Sequence, residues 1–331
     1  MVVYTLYYFT CNSFFKLYKR INEREKQMIT KENLKKHFIN FNGGKGLDHW
    51  SPSSSQNFTR LLINYSLPQE LRRSFLIRYK APFGNLVNNT AQRMTCNILF
   101  QGDKKITLKN KNYDEVFQQE LDEINKLTPT VDEKDKLARD MMVSFAHPTI
   151  QNLIECIVKV FGGEDLVAER YVSSKSEEMI HDIIGRIDVE SNTKILEVKC
   201  KPPTIKKKRG KDEYYMATTQ LPEEPDPMHI SQVAFYYHCT KRKPFLVYVN
   251  ENEYRLFDDE YYQLTPNYLE ERYNLMTQRL KSWEELIIFC KGDMNKLAHF
   301  AEPPELNHPF YYRDLIDEQK QQIKKLWGLE T

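Results

Sequence analysis

Polar and apolar positions alternate with a period of two along Ile195-Leu196-Glu197-Val198-Lys199-Cys200. That pattern predicts a β-strand with Glu197 and Lys199 on one face and Leu196, Val198 and Cys200 on the other. The run Ile183 to Val189 predicts a second strand, with Asp188 out of phase with Ile187 and Val189. The turn-like Glu190-Ser-Asn-Thr-Lys194 joins the two as a hairpin. Upstream, apolar residues at helical spacing over 148–161 stop at Gly162-Gly163, a helix terminator. Strand-like runs then cover 166–173, 180–189 and 194–200. Next comes a helix through His229-Ile-Ser-Gln232-Val-Ala-Phe-Tyr236, in which Gln232 and Tyr236 share one face. Strands at 244–249 and 254–257 follow. Helix, three strands, helix and strands predict an α/β (α+β) domain with a mixed central sheet flanked by helices.

The flanking sequence predicts mostly helix. Lys31 to Phe41, 112–140, Pro266 to Cys290 and Tyr311 to Trp327 all carry helical patterning. The chain therefore divides into an apolar N-terminal extension (1–27), a mostly helical segment packing on the core (28–144), the core itself (145–260) and a helical C-terminal extension (261–331). Met1 to Phe15 is uncharged, too short and too polar for a membrane span, and lacks the basic start of a secretory signal. It reads as a loosely packed extension, or as sequence upstream of a start at Met28. Gly43-Gly-Lys-Gly46 lacks the spacing of a phosphate-binding P-loop and reads as a turn.

At 331 residues the chain can bury a large core. A net charge of +2 sets no global field for nucleic acid. Local charge says more: Lys201 and the run Lys206, Lys207, Lys208, Arg209 and Lys211 follow the strand that carries Glu197 and Lys199. In a Pro- and Gly-containing loop, such a cluster is either a solvated run or a binding patch for the nucleic-acid backbone. Tyr214 and Tyr215 beyond it offer stacking faces for unpaired bases. Cysteines at 11, 96, 156, 200, 239 and 290 form no C-x-x-C pair, which argues against a zinc site or a disulfide framework.

The hairpin's side chains suit metal-assisted phosphodiester chemistry. Mg²⁺ prefers oxygen ligands and commonly takes one or two carboxylates, leaving room for water and phosphate. Asp188 and Glu197 offer those carboxylates, with the Val198 carbonyl as a third oxygen. Lys199, on the same face, is placed to orient water and stabilise developing charge. Charged residues on exposed strands are also common as solvated groups, so this spacing alone does not decide.

The motif order does more. Gly185-x-x-Asp188, Glu197-x-Lys199 and Gln232-x-x-x-Tyr236 occur in that sequence, and with them the chain resembles the PD-(D/E)XK nuclease superfamily, in its RecB-like, lambda-exonuclease-like branch. The resemblance covers the core, about a third of the chain. It implies a restriction-endonuclease-like αβββαβ fold, metal ligation by Asp188 and Glu197, catalysis by Lys199, and support of the site and the DNA strand by Gln232 and Tyr236. It implies Mg²⁺ as cofactor, with Mn²⁺ able to substitute. The family's upstream helix carries a glutamate, matched by Glu155, as a further metal ligand. Gln151 stands where the family has histidine, and His147, just before Pro148, reads as a residue of the helix entry. Glu169 is a weaker acidic candidate on the strand before Asp188. An iron–sulfur cluster is not expected, because only Cys239 and Cys290 follow the Gln232 helix.

The function so implied is a metal-dependent DNA exonuclease acting on linear DNA. The phage and mitochondrial genome maintenance types are the nearest in layout, and the Lys, Asn, Ile and Tyr richness fits a viral setting. A structure- or sequence-specific endonuclease and a non-catalytic DNA-binding scaffold are the alternatives. The implied partners are DNA with an end and a single-strand-binding or recombination protein, with no membrane. The implied compartment is the cytoplasm, of the host if the chain is viral, or the mitochondrion. Polarity, strand preference and oligomeric state are left open by the sequence.

Overall fold

The computed structural model describes residues 31–39, 46–53, 57–67, 71, 78–109, 112–306 and 315–329. The apolar run Met1 to Phe15, most of the Gly43 to Gly46 turn and the segment 72–77 lie outside the described residues. The described strands are β1 (Ile98–Gln101), β2 (Lys104–Thr107), β3 (Val167–Ser174), β4 (Ile183–Glu190), β5 (Lys194–Cys200), β6 (Thr204–Lys207), β7 (Tyr214–Ala217), β8 (Lys243–Val249) and β9 (Tyr254–Phe257). Seven of them form one sheet in the order β2-β1-β3-β4-β5-β8-β9. It is mixed: β1 with β3 and β5 with β8 run parallel, and the remaining neighbours antiparallel.

Helices cover both faces. The described ones are α1 (Lys31–Lys35), α2 (Phe58–Ser66), α3 (Lys80–Thr95), α4 (Tyr113–Leu127), α5 (Glu133–Phe161), α6 (Pro227–Thr240), α7 (Pro266–Phe289), α8 (Met294–Ala298) and α9 (Asp317–Leu326). Leu196 and Val198 of β5, with Phe245, Val247 and Val249 of β8, enter a core shared with α3, α4 and α5. Ile195 of β5 and Leu246 and Tyr248 of β8 enter a second core shared with α6 and α7. Burial on both faces is why β8 reads as a continuous apolar run rather than an alternating one.

The expected strands fall within a few residues of their predicted positions, because short-range alternation marks them directly. The helix expected over 148–161 instead begins at Glu133 and passes through Pro148. A proline inside a helix costs about 3 kcal/mol. The buried stripe Ala138, Met142, Ala146, Ile150, Leu153 and Ile157 continues across it and outweighs that cost. Asp132 caps the start by accepting the Asp135 N–H at 2.7 Å, and Gly162 closes the end at φ +59°. His147 therefore lies mid-helix rather than at a helix entry. It stacks on Phe117 with ring centroids 4.1 Å apart, and its Nδ1 is 2.8 Å from the Tyr113 hydroxyl, pinning α4 to α5.

Two further differences concern the flanks. The mostly helical segment 28–144 also contributes the β1–β2 hairpin to the sheet, turning at Gly102 with φ +60°. The lysine-rich run is only partly a loop: Lys206 and Lys207 lie on β6, paired to Tyr215 and Tyr214, while Lys208, Arg209 and Lys211 form the turn to β7. Among the described residues no helix is long and apolar enough to cross a membrane.

Candidate active site

The site forms where two strands part. The β4–β5 ladder holds only Val189 opposite Leu196 and Glu190 opposite Ile195. Beyond that point the Val198 N–H donates to the Asp188 carboxylate, Oδ2, at 2.7 Å. On the other side, the β3–β4 ladder runs past Glu169 and Asp188 without pairing them, and Glu169 takes φ +61°. The alternation breaks here: Ile187 enters the α6–α7 core and Val189 the α3–α5 core. The simple out-of-phase placement of Asp188 is therefore corrected, since its two neighbours face opposite sides of the sheet. The break turns Asp188 toward β5.

Glu197 and Lys199 keep the expected shared face, and the Lys199 Nζ donates to Glu197 Oε1 at 2.5 Å. Glu197 is only 4% exposed, and its Oε2 has no hydrogen-bond partner among the described residues. Gln232 and Tyr236 on α6 line the same cleft, of about 360 Å³, as do Asp188, Val198 and Lys199. The Tyr236 hydroxyl donates to the Arg186 carbonyl at 2.8 Å, tying α6 to β4. Gly185 permits this approach. A Cβ there would lie 2.7 Å from Tyr236 Cε1 and 2.8 Å from Phe235 Cε1.

The electrostatics follow from burial and like charge. Burial pushes the Glu197 carboxyl up to about 8, reinforced by the Asp188 charge. Burial also raises Asp188, opposed by Lys199 and the Val198 N–H. Glu169 goes to about 7, by burial and then by Asp188. Burial pulls Lys199 down, but the facing Glu197 and Asp188 charges outweigh it and hold the ammonium above its ordinary range. Three carboxylates thus share the region with two cations, Lys199 and Arg186. Carboxyls kept protonated by burial and by one another, all-oxygen donors and a buried carboxylate oxygen without a partner among the described residues are what a hard divalent cation would satisfy by displacing the protons. Among the described residues, no three His, Cys, Asp or Glu side chains close on one point as they stand. Glu169 is instead turned to Arg186 Nε at 2.5 Å and to Gln92 Nε2 at 2.6 Å.

The other expected site residues lie elsewhere. Glu155 is exposed on α5, with Oε1 3.4 Å from the Tyr254 hydroxyl on β9, and it does not line the cleft. Its helix covers the Leu196–Val198 face, whereas Glu197 and Lys199 point to the opposite one, so its match to an upstream ligand is corrected. Gln151 is likewise exposed on α5. Lys201 is half-buried, its Nζ 5.1 Å from the centre of the Tyr248 ring. Lys206, Lys207, Lys208, Arg209 and Lys211 are exposed on the β6–β7 hairpin and do not line the cleft. Lys207 pairs with Asp212 and Lys208 with Glu213, each at 2.7 Å.

Sequence reasoning missed two contributions. Gln92 of α3 is 1% exposed and donates both to Glu169 and to the Asp188 carbonyl at 3.0 Å. Its signal was a polar side chain on a stripe with Phe83, Leu86, Val87 and Ala91. The segment His49 to Ser53 forms another cleft wall. Trp50 anchors it: its N–H donates to the Asp182 carbonyl at 2.9 Å, its carbonyl accepts from Ile184 at 2.8 Å, and its indole donates to Glu284 at 2.9 Å. No family model matches this chain, and neither does any curated protein or solved structure.

Proposed function

We propose that the chain is a divalent-metal-dependent deoxyribonuclease of the PD-(D/E)XK type, in its RecB-like, lambda-exonuclease-like branch, acting on linear DNA from an end. The observation that carries the reading is the parting of β4 from β5. It leaves Glu197 buried beside the half-buried Asp188 and Lys199, one Glu197 oxygen having no hydrogen-bond partner among the described residues, across a cleft from Gln232 and Tyr236. The order α5, β3, β4, β5, α6 and β8, with β8 parallel to β5, supports the αβββαβ core.

Asp188 and Glu197 would hold Mg²⁺ or Mn²⁺, with Val198 offering backbone oxygen. Bound there, the ion would polarise the phosphoryl group and lower the pKa of water. The chain's own residues do the rest. Lys199, kept protonated by its two carboxylates, presents a fixed positive charge to the phosphate as negative charge builds. Tyr236 holds the Arg186 backbone, and with it the strand that carries Asp188. The Gln232 side chain lines the cleft, where its amide can hold the DNA strand. Exposed Lys206 to Lys211 would add backbone attraction outside the cleft.

The test is nucleotide release from linear DNA in Mg²⁺ by the wild type, Asp188→Ala and Lys199→Ala. Release by the wild type alone is expected. Activity that survives both substitutions overturns the reading. A covalently closed circle should resist the enzyme; its cleavage would replace the exonuclease by an endonuclease with the same chemistry.

A further inference from the structure

We propose that Glu169 is a third carboxylate ligand of the divalent cation, and that Arg186 is a built-in counter-ion which the cation must displace from it. The inference rests on the metal-dependent reading above and adds to it a ligand and a competition.

Glu169 interrupts β3 in a way a strand does not require. Its neighbours pair normally, Ala168 with Val189 and Arg170 with Ile187, yet Glu169 takes φ +61°. An L-residue there costs about 1–2 kcal/mol, which glycine would avoid. Such an outlier beside a buried polar cluster points to use of the side chain. The conformation carries the carboxylate to the side of Asp188. Gln92 then ties the two together, donating to Glu169 Oε1 at 2.6 Å and to the Asp188 carbonyl at 3.0 Å.

The second observation is what the cluster lacks. Glu197 Oε2 and Gln92 Oε1 are buried without hydrogen-bond partners among the described residues. Both belong to side chains more than nine-tenths buried. Buried polar atoms are seldom left so, and a bound ion or water is among the few physical reasons. As it stands, the site offers a cation only the Asp188–Glu197 pair, because Glu169 Oε2 is held by Arg186 Nε at 2.5 Å. Turning that carboxylate from Arg186 to the cation supplies a third anionic oxygen donor. Arg186, about half exposed on the cleft, is then free for a phosphate group. Because cation and guanidinium compete for one carboxylate, removing either strengthens the hold of the other.

The experiment is calorimetric titration of Mn²⁺ into the full chain without DNA, comparing the wild type, Arg186→Gln, Glu169→Gln, the double variant and Asp188→Asn. Arg186→Gln is expected to bind Mn²⁺ about fivefold more tightly or better, the low end of ordinary coupling. Glu169→Gln is expected to weaken binding roughly 10- to 100-fold, the range for disturbed metal shells. In the Glu169→Gln background, Arg186→Gln should have no further effect. Unchanged or weaker binding by Arg186→Gln overturns the inference, as does wild-type affinity in Glu169→Gln. Asp188→Asn separates the two levels. If it abolishes binding while the Glu169 and Arg186 variants match the wild type, only this inference falls. If Asp188→Asn binds as the wild type does, or the wild type binds no Mn²⁺, the metal-dependent reading falls with it. Arg186 is about half exposed, so its substitution disturbs the fold less than Glu169→Gln and keeps the test decisive where that variant is unstable.

Discussion

Replacing Glu197 by glutamine should stabilise the metal-free protein while removing its response to Mg²⁺. The Glu197 carboxyl is pushed up to about 8 by burial and by Asp188. Its folded pKa thus lies above the unfolded value, and between the two the folded chain holds a proton that the unfolded chain releases. Stability from this group is greatest below about pH 4.5 and falls as pH rises toward 8. At about 1.4 kcal/mol per pH unit, the ionised side chain costs at most about 5 kcal/mol at pH 8. That figure already contains the attraction of Lys199, which glutamine also loses, so it is the net cost of ionisation and a ceiling on the gain. The expected net gain is about 1–3 kcal/mol at pH 8, well within what neutralising a buried charge achieves. Urea unfolding with a chelator at pH 8 and pH 5 measures it, and the gain should shrink at pH 5. Saturating Mg²⁺ at pH 8 should raise the wild-type midpoint and leave the variant unmoved. A variant less stable than the wild type at pH 8, or a gain equal at both pH values, refutes the reasoning.

Three other outcomes follow from the packing. Gly185→Ala puts a methyl group against the Tyr236 and Phe235 rings, which should cost about 1–3 kcal/mol in urea unfolding. Glu284→Ala strands the Trp50 indole and the backbone N–H groups of Ile180 and His181, all within 2.9 Å of its carboxylate. A loss of about 3–5 kcal/mol in thermal or urea melts is expected for so buried an acceptor, together with weaker DNA binding as the His49–Ser53 wall loosens. Replacing Lys206, Lys207 and Lys208 with alanine should weaken DNA binding at low salt and flatten the salt slope by about 0.9 for each phosphate no longer neutralised. It should leave Mg²⁺ stabilisation unchanged, since the hairpin lies off the cleft.

Most of the central sheet was legible because strand burial is a short-range pattern. The period of two in Ile195 to Cys200, and the apolar run Pro244 to Val249, carry their faces and limits within a few residues. The edge pair β1–β2 was missed: each strand is four residues long, β1 mainly part-exposed and β2 mainly exposed, so no alternation stands out. The upstream helix was misjudged because two helices, α3 and α5, pack on one face of the sheet. Periodicity cannot say which of them reaches β4; the packing of α3 brings Gln92 there, and α5 leaves Glu155 against β9.

The sequence by itself determined which residues share strand β5, the spacing of Asp188, Glu197 and Lys199, and the glycine that lets a helix lie close. Those are consequences of local periodicity and of one missing Cβ. The tertiary structure alone decided that β4 and β5 part after Val189 and Leu196, that Glu169 takes a left-handed backbone beside Asp188, and that Trp50 holds a distant segment as a wall. Each depends on packing between residues far apart in the chain. Such packing also removes water from the carboxylates and sets their charge, which no pattern along one strand can express.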